Sequence, residues 1–186
     1  EIVREFARKC FVPLTVGGKV RTLKDVEIRL TAGADKVSIN TQAFDCPDFV
    51  GKCAKEFGSQ CILASIDVKK MDSNMEVFVE GGKRRTNLPP SEWARELEMR
   101  GAGEILLNSI DRDGTGQGYD IRLINEIVEN AVKIPVIALG GAGNYDHLKD
   151  VLDLTRVSAV AAGNIFQYTE NSVFNAKKLC FLLLLK

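Results

Sequence analysis

VPLTVGG at Val12–Gly18, followed by ADKVSIN at Ala34–Asn40, is echoed later by IPVIALGG at Ile134–Gly141 and SAVAAGN at Ser158–Asn164. Each pair reads as an apolar strand ending in glycines, then a helix, then a strand ending in a small polar turn. A strand–helix repeat at half-chain spacing predicts a barrel of two similar halves. Working outward, short apolar runs alternate with helical patterns from end to end. The expected strands are Phe11–Val16, Lys36–Ile39, Cys61–Asp67, Glu104–Asn108, Ile134–Ala138 and Ala159–Ala162. As near-continuous apolar stretches they read as parallel strands buried on both faces. This alternation predicts an α/β fold. A doubly wound open sheet stays open on the alternation alone, although no G-x-G-x-x-G follows the first strand.

Between strands, Ile121–Val132 spaces Ile121, Ile124, Ile127 and Val128 as one helical face, with Arg122, Asn125 and Glu126 outward and Asp120 as N-cap. Met75–Glu80, Gly81-Gly82 and Lys83–Thr86 read as a glycine-turned hairpin elaborating the loop after the Asp67 strand. Pro89-Pro90 opens the next helix.

The 186 residues suit one large domain, 1–186, with a real core. Twenty-five basic residues balance 25 acidic ones, so no overall field favours nucleic acid or an anionic membrane. The longest apolar run, Leu179–Leu185, is too short to span a bilayer. Five cysteines (Cys10, Cys46, Cys53, Cys61, Cys180) form no C-x-x-C pair and have only His147 to join them. They read as reduced, mostly buried thiols of a cytoplasmic protein. Metal-ligand spacing and a nucleophilic triad are both missing from the sequence, and no cofactor is expected. His147 is expected exposed on its helix, and Trp93 to pack.

The chemistry-bearing residues cluster at strand ends, where barrel enzymes place their sites. Gly17-Gly18 and Gly140-Gly141-Ala142-Gly143 each end a strand, where bare backbone can approach an anion. The plain alternative is a tight turn. Two such motifs in matching halves favour a substrate with a phosphate at each end. Asp67 closes the run CILASID and can serve as general acid or base if burial shifts its pKa; otherwise it pairs with Lys69 or Lys70. SIDRDGTGQGYD (Ser109–Asp120) is a polar loop made flexible by Gly114, Gly116 and Gly118, or else a capped turn.

Taken together, VPLTVGG, AGADKVSINT, FGSQCILASIDVKK, GAGEILLNSIDRDGTGQGYD and IPVIALGGAGN resemble, in order and spacing, the cyclase subunit of imidazole glycerol phosphate synthase. The resemblance covers nearly the whole chain and implies a (β/α)8 TIM barrel of the histidine-biosynthesis type. It implies a lyase that takes ammonia from a glutaminase subunit in a heterodimer. The ammonia joins a bis-phosphorylated aminoimidazole-carboxamide ribonucleotide, giving imidazole glycerol phosphate and a purine precursor. By the same resemblance, Asp67 and Asp113 are catalytic carboxylates. Gly17, Gly18, Asn40 and Thr41 belong to one phosphate site. Gly114, Gly141, Gly163 and Asn164 belong to the other, with Asn108 also facing substrate. Lys36 and Glu104 belong to a charged cluster where ammonia enters, and Asp35 faces the glutaminase.

There are departures from that pattern. The family's barrel has eight strands in about 250 residues; this chain is expected to be truncated to about six, lacking the first two strands and a partner aspartate, and so inactive alone. Lys19 stands for a third glycine, Asn108 for a threonine, and Leu139 and Asn164 for serines. With the ending GNIFQYTENSVFNAKK, these resemble a paralogous branch that works with an amidotransferase to form amidino sugars for surface polysaccharide. A non-catalytic barrel fragment that binds a partner is the alternative from another class.

Overall fold

The computed structural model describes residues 1–72, 74–167 and 172–183. The elements run α1 Ile2–Ala7, β1 Thr15–Val16, α2 Leu23–Thr31, β2 Lys36–Ile39, α3 Thr41–Asp45, α4 Asp48–Phe57, β3 Ile62–Met71, β4 Asn74–Val79 and β5 Arg84–Arg85. They continue with α5 Pro90–Met99, β6 Glu104–Ser109, α6 Ile121–Asn130, β7 Val136–Leu139, α7 Tyr145–Leu154, β8 Ala159–Val160 and α8 Val173–Leu183. Residues 168–171 of the ending GNIFQYTENSVFNAKK, and 184–185 of the terminal apolar run, lie outside the described residues.

The six parallel strands lie side by side in chain order, β1-β2-β3-β6-β7-β8. A doubly wound sheet would reverse direction at a switch point; a sequential path curls one way. The result is a TIM-barrel-like half-barrel with alternating helices. Among the described residues β1 and β8 each pair on one side only.

Local chemistry accounts for the helix starts. Thr22 and Asp25 form a capping box on α2, Asp120 accepts from Leu123 N at 3.0 Å, and Asn144 accepts from His147 N at 3.0 Å. Pro90 opens α5, as its missing N–H allows. On α6 the buried residues are Leu123, Ile124 and Ile127, so Leu123 joins the expected stripe. Trp93 is buried edge-on to Phe44, with ring centroids 6.1 Å apart.

Four expectations change. The strands are not buried on both faces: β2 and β6 alternate, with Val37, Ile39, Ile105 and Leu107 buried under helices. Lys36, Ser38, Glu104 and Asn108 lie half-buried on the other side. That concave face is open because the sheet does not close around it. The first strand shrinks to Thr15–Val16, where its register with β2 begins at Thr15↔Lys36, and Phe11 ahead of it is 95% exposed. The third strand instead runs on to Met71, because β4 folds back antiparallel from Asp67↔Phe78 to Met71↔Asn74. The expected hairpin is thus the outer half of a β3-β4-β5 meander. Finally, only Cys53 of the five free thiols is fully buried; burial pushes it up to about 11, which leaves it inert.

Candidate functional site at the strand C-termini

Period-two alternation puts Asn40, Asp67 and Asn108 on the concave face, where β2 and β6 end and β3 runs on into the meander. The β3–β6 register sets Asp67 directly opposite Asn108. Asn108 Nδ2 donates to Asp67 Oδ1 at 3.1 Å, and Asn40 Nδ2 donates to Oδ2 at 3.1 Å. Asn40 also donates to the Ser65 carbonyl at 3.1 Å, which fixes its amide. The carboxylate is therefore held at both oxygens and paired with no lysine. Lys69 lies instead 5.9 Å from the centre of the Phe78 ring. Burial raises the Asp67 carboxyl above the usual carboxylate range. The Asn108 and then the Asn40 hydrogen bonds pull it back, and the charge of Asp113 pushes it up further.

Asp67 faces a cleft of about 840 Å³ shared with Gly18, Lys19, Arg21, Asn40, Thr41 and Glu80. Gly18 of the first glycine turn thus shares this cleft with Asn40 and Thr41, while Gly17 lies against Ser38. Gly18 has φ 90° and Lys19 φ 53°, so the lysine occupies a left-handed conformation that glycine adopts more easily. Two details narrow what can bind an anion. The amides of Arg21 and Thr22, just ahead of α2, are taken, since Asp25 accepts from Arg21 N at 3.1 Å and Thr22 N at 2.9 Å. Thr41 Oγ1 accepts from Glu80 N at 3.0 Å, which ties the hairpin turn to α3. Arg84 reinforces that tie by pairing with Asp45 and lying over the Phe44 ring. Among the described residues, Lys19 and Arg21 are the cations of the turn that line the cleft and make no ion pair.

The second turn gathers Asp113, Gly114, Gly141, Gly163 and Asn164 around a space of only about 20 Å³. That is far less room than the first cleft offers. Gly141 and Gly143 are explained by close backbone approach. A Cβ on Gly141 would stand 2.1 Å from Gly118 O, and one on Gly143 2.4 Å from Gly116 O. Gly118 N donates to Gly141 O at 2.8 Å, so the Ser109–Asp120 loop is laced to the β7–α7 turn. The same loop is held by Ile110 N on Val68 O at 2.8 Å and by Asp111 accepting from Lys70 N at 2.6 Å. The buried Tyr119 donates to Ala161 O at 2.8 Å. The expected flexible loop is a strapped one. Asp113 stays on its exposed rim.

His147 is half-buried, not exposed: its Nδ1 accepts from Gly143 N at 3.1 Å. At the opposite end of the concave face, Lys36 and Glu104 form an ion pair at 2.8 Å. Lys36 also donates to Gln60 O at 3.2 Å. Asp35 is exposed and accepts from Leu14 N at 2.7 Å, so it ties the chain entering β1. The sequence carried no signal for Tyr119 as an anchor, nor for Arg84 as a strap. Among the described residues, no group of three or more His, Cys, Asp or Glu could hold a metal ion. No helix among them is long and apolar enough to cross a membrane.

The model of a family described as histidine biosynthesis protein matches residues 1–172. The chain belongs to this family of barrel enzymes.

Proposed function

We propose that this member of the histidine biosynthesis family is an ammonia-using cyclase barrel. It would work with a glutaminase subunit on a bis-phosphorylated aminoimidazole-carboxamide ribonucleotide. The observation that carries the reading is Asp67, a half-buried carboxylate held by two amides beside a cleft lined by Lys19 and Arg21. Asp67 has the two properties an acid–base group needs: a raised proton affinity and access to a ligand. As ammonia adds to the substrate carbonyl, the new C–N bond leaves a proton on nitrogen that a base must take. The carbinolamine hydroxyl then leaves as water once an acid protonates it. Asp67 can do either, with Asp113 as a second carboxylate nearby. Lys36 and Glu104 support an entry route, since they close the same face about 13 Å back along the strands, at the 3.3 Å rise of a parallel strand.

Calorimetric titration with the bis-phosphorylated ribonucleotide and with a singly phosphorylated analogue tests the substrate class. Tighter binding of the doubly phosphorylated compound is expected, and equal binding would overturn the reading. A second reading is favoured by Leu139 and Asn164 lining the second turn in place of hydroxyl side chains. Here the same ammonia chemistry forms an amidino sugar for surface polysaccharide. It is the better description if a sugar acceptor binds and the ribonucleotide does not.

A further inference from the structure

Asn108 meets Asp67 in a way that contact with a substrate would not require. Its Nδ2 is spent on Asp67 Oδ1, while its Oδ1 is buried and has no donor among the described residues. That oxygen lies against Gly140, where a Cβ would stand 3.0 Å away. An asparagine with a purely structural role would present its oxygen to a donor. Turned over, this one would set Oδ1 against the carboxylate, acceptor on acceptor. The amide is thus oriented by an ionised Asp67, at the expense of its own oxygen.

We propose that Asn108 is a positioning residue for Asp67: opposite Asn40, it fixes the carboxylate at the mouth of the cleft and keeps it a proton acceptor. The other charged groups around Asp67 are Asp113 on the β6–α6 loop, Asp45 on α3, Glu80 at the β4–β5 turn, and Lys19 and Arg21 on the β1–α2 loop. Asp113 is the one whose charge acts on it, and it opposes ionisation. Without Asn108, burial and Asp113 would be resisted by Asn40 alone. The catalytic consequence rests on Asp67 being the acid–base group of the proposed function; the positioning itself does not.

Carbon-13 NMR of the Asp67 carboxyl across pH tests the proposal in the native chain, Asn108→Leu and Asn108→Asp. Leucine removes the donor at similar volume, and aspartate adds a like charge. The titration midpoint should rise by about one unit in Asn108→Leu, a tenfold gain in proton affinity, and further in Asn108→Asp. If leucine is too bulky beside Gly140, Asn108→Ala takes its place with the same expected shift. Equal midpoints in the native chain and the leucine or alanine variant would overturn the proposal. Turnover with ammonia, where present, should show its acid limb move by the same amount. A shifted carboxyl in a protein that never turns over the ribonucleotide would sink the proposed substrate and uphold the role of Asn108.

Discussion

Lys36 and Glu104 meet at 2.8 Å although β3 runs between the strands that carry them. Both side chains point to the concave face at the N-terminal end of their strands, and both are about one-quarter exposed, 24% and 22%. Breaking a pair so largely out of water costs more than the roughly 1 kcal/mol of an exposed pair, because the other charge is left without its partner. Glu104→Gln is therefore expected to fold with a lowered urea midpoint. If the pair gates ammonia, the variant should lower glutamine-driven turnover more than turnover with ammonium salt. Equal loss on both routes would take the pair out of ammonia entry.

Asp67→Asn should fold and lower ammonia-dependent turnover by roughly a hundredfold or more, the range for loss of an acid–base group. The new amide would face two amide donors, and Asn108 can turn to offer its unpaired Oδ1. Near-native turnover in the folded variant would remove Asp67 from the mechanism.

The same substitution has a pH signature. An unfolded aspartate titrates near ~3.9, and burial raises the folded value of Asp67. The folded state therefore binds the proton more readily. Its contribution to stability is complete below the unfolded pKa and is lost as pH rises through the folded one. Urea midpoints of the native chain should fall relative to Asp67→Asn above about pH 4 and then level off. A difference that stays flat with pH would mean that Asp67 is not raised.

Gly141 and Gly163 both line the second turn but serve different ends. At Gly141 the backbone has φ 110°, and a Cβ would meet Gly118 O at 2.1 Å; at Gly163 nothing lies within 4 Å. Gly141→Ala should cost about 2–4 kcal/mol by strain and overpacking, and Gly163→Ala well under 1 kcal/mol. Chemical denaturation checks both. Similar costs would show that the loop lacing does not hold this turn.

Phosphate should act on the two turns unequally. The first has a cleft of about 840 Å³ with Lys19 and Arg21, and the second only about 20 Å³. In an NMR titration the amides of Gly18 and Lys19 should shift first, and those around Gly141 and Asn164 only at higher concentration or with the full substrate. Saturating phosphate that perturbs neither turn would end the two-phosphate reading.

The sequence alone determined the α/β alternation, the existence and order of six parallel strands, the N-cap at Asp120 and the helix start at Pro90. These are local properties: a run of apolar residues, a period and a capping side chain are legible wherever the chain goes. The repeated glycine motifs also located both turns. What they could not reveal was why the glycines are there, because Gly141 answers to Gly118, a residue on another loop. The length of β3 depended on β4 folding back on it, and the short extent of β1 on a register with β2 that begins at Thr15. Only the tertiary structure decided that Asp67 lies between Asn40 and Asn108, since that follows from the parallel register of three strands. Register is set by packing between segments far apart in the chain. It gives a side chain its partners, and those partners, not the residue type, decide whether a carboxylate on a strand becomes a salt bridge or an acid–base group.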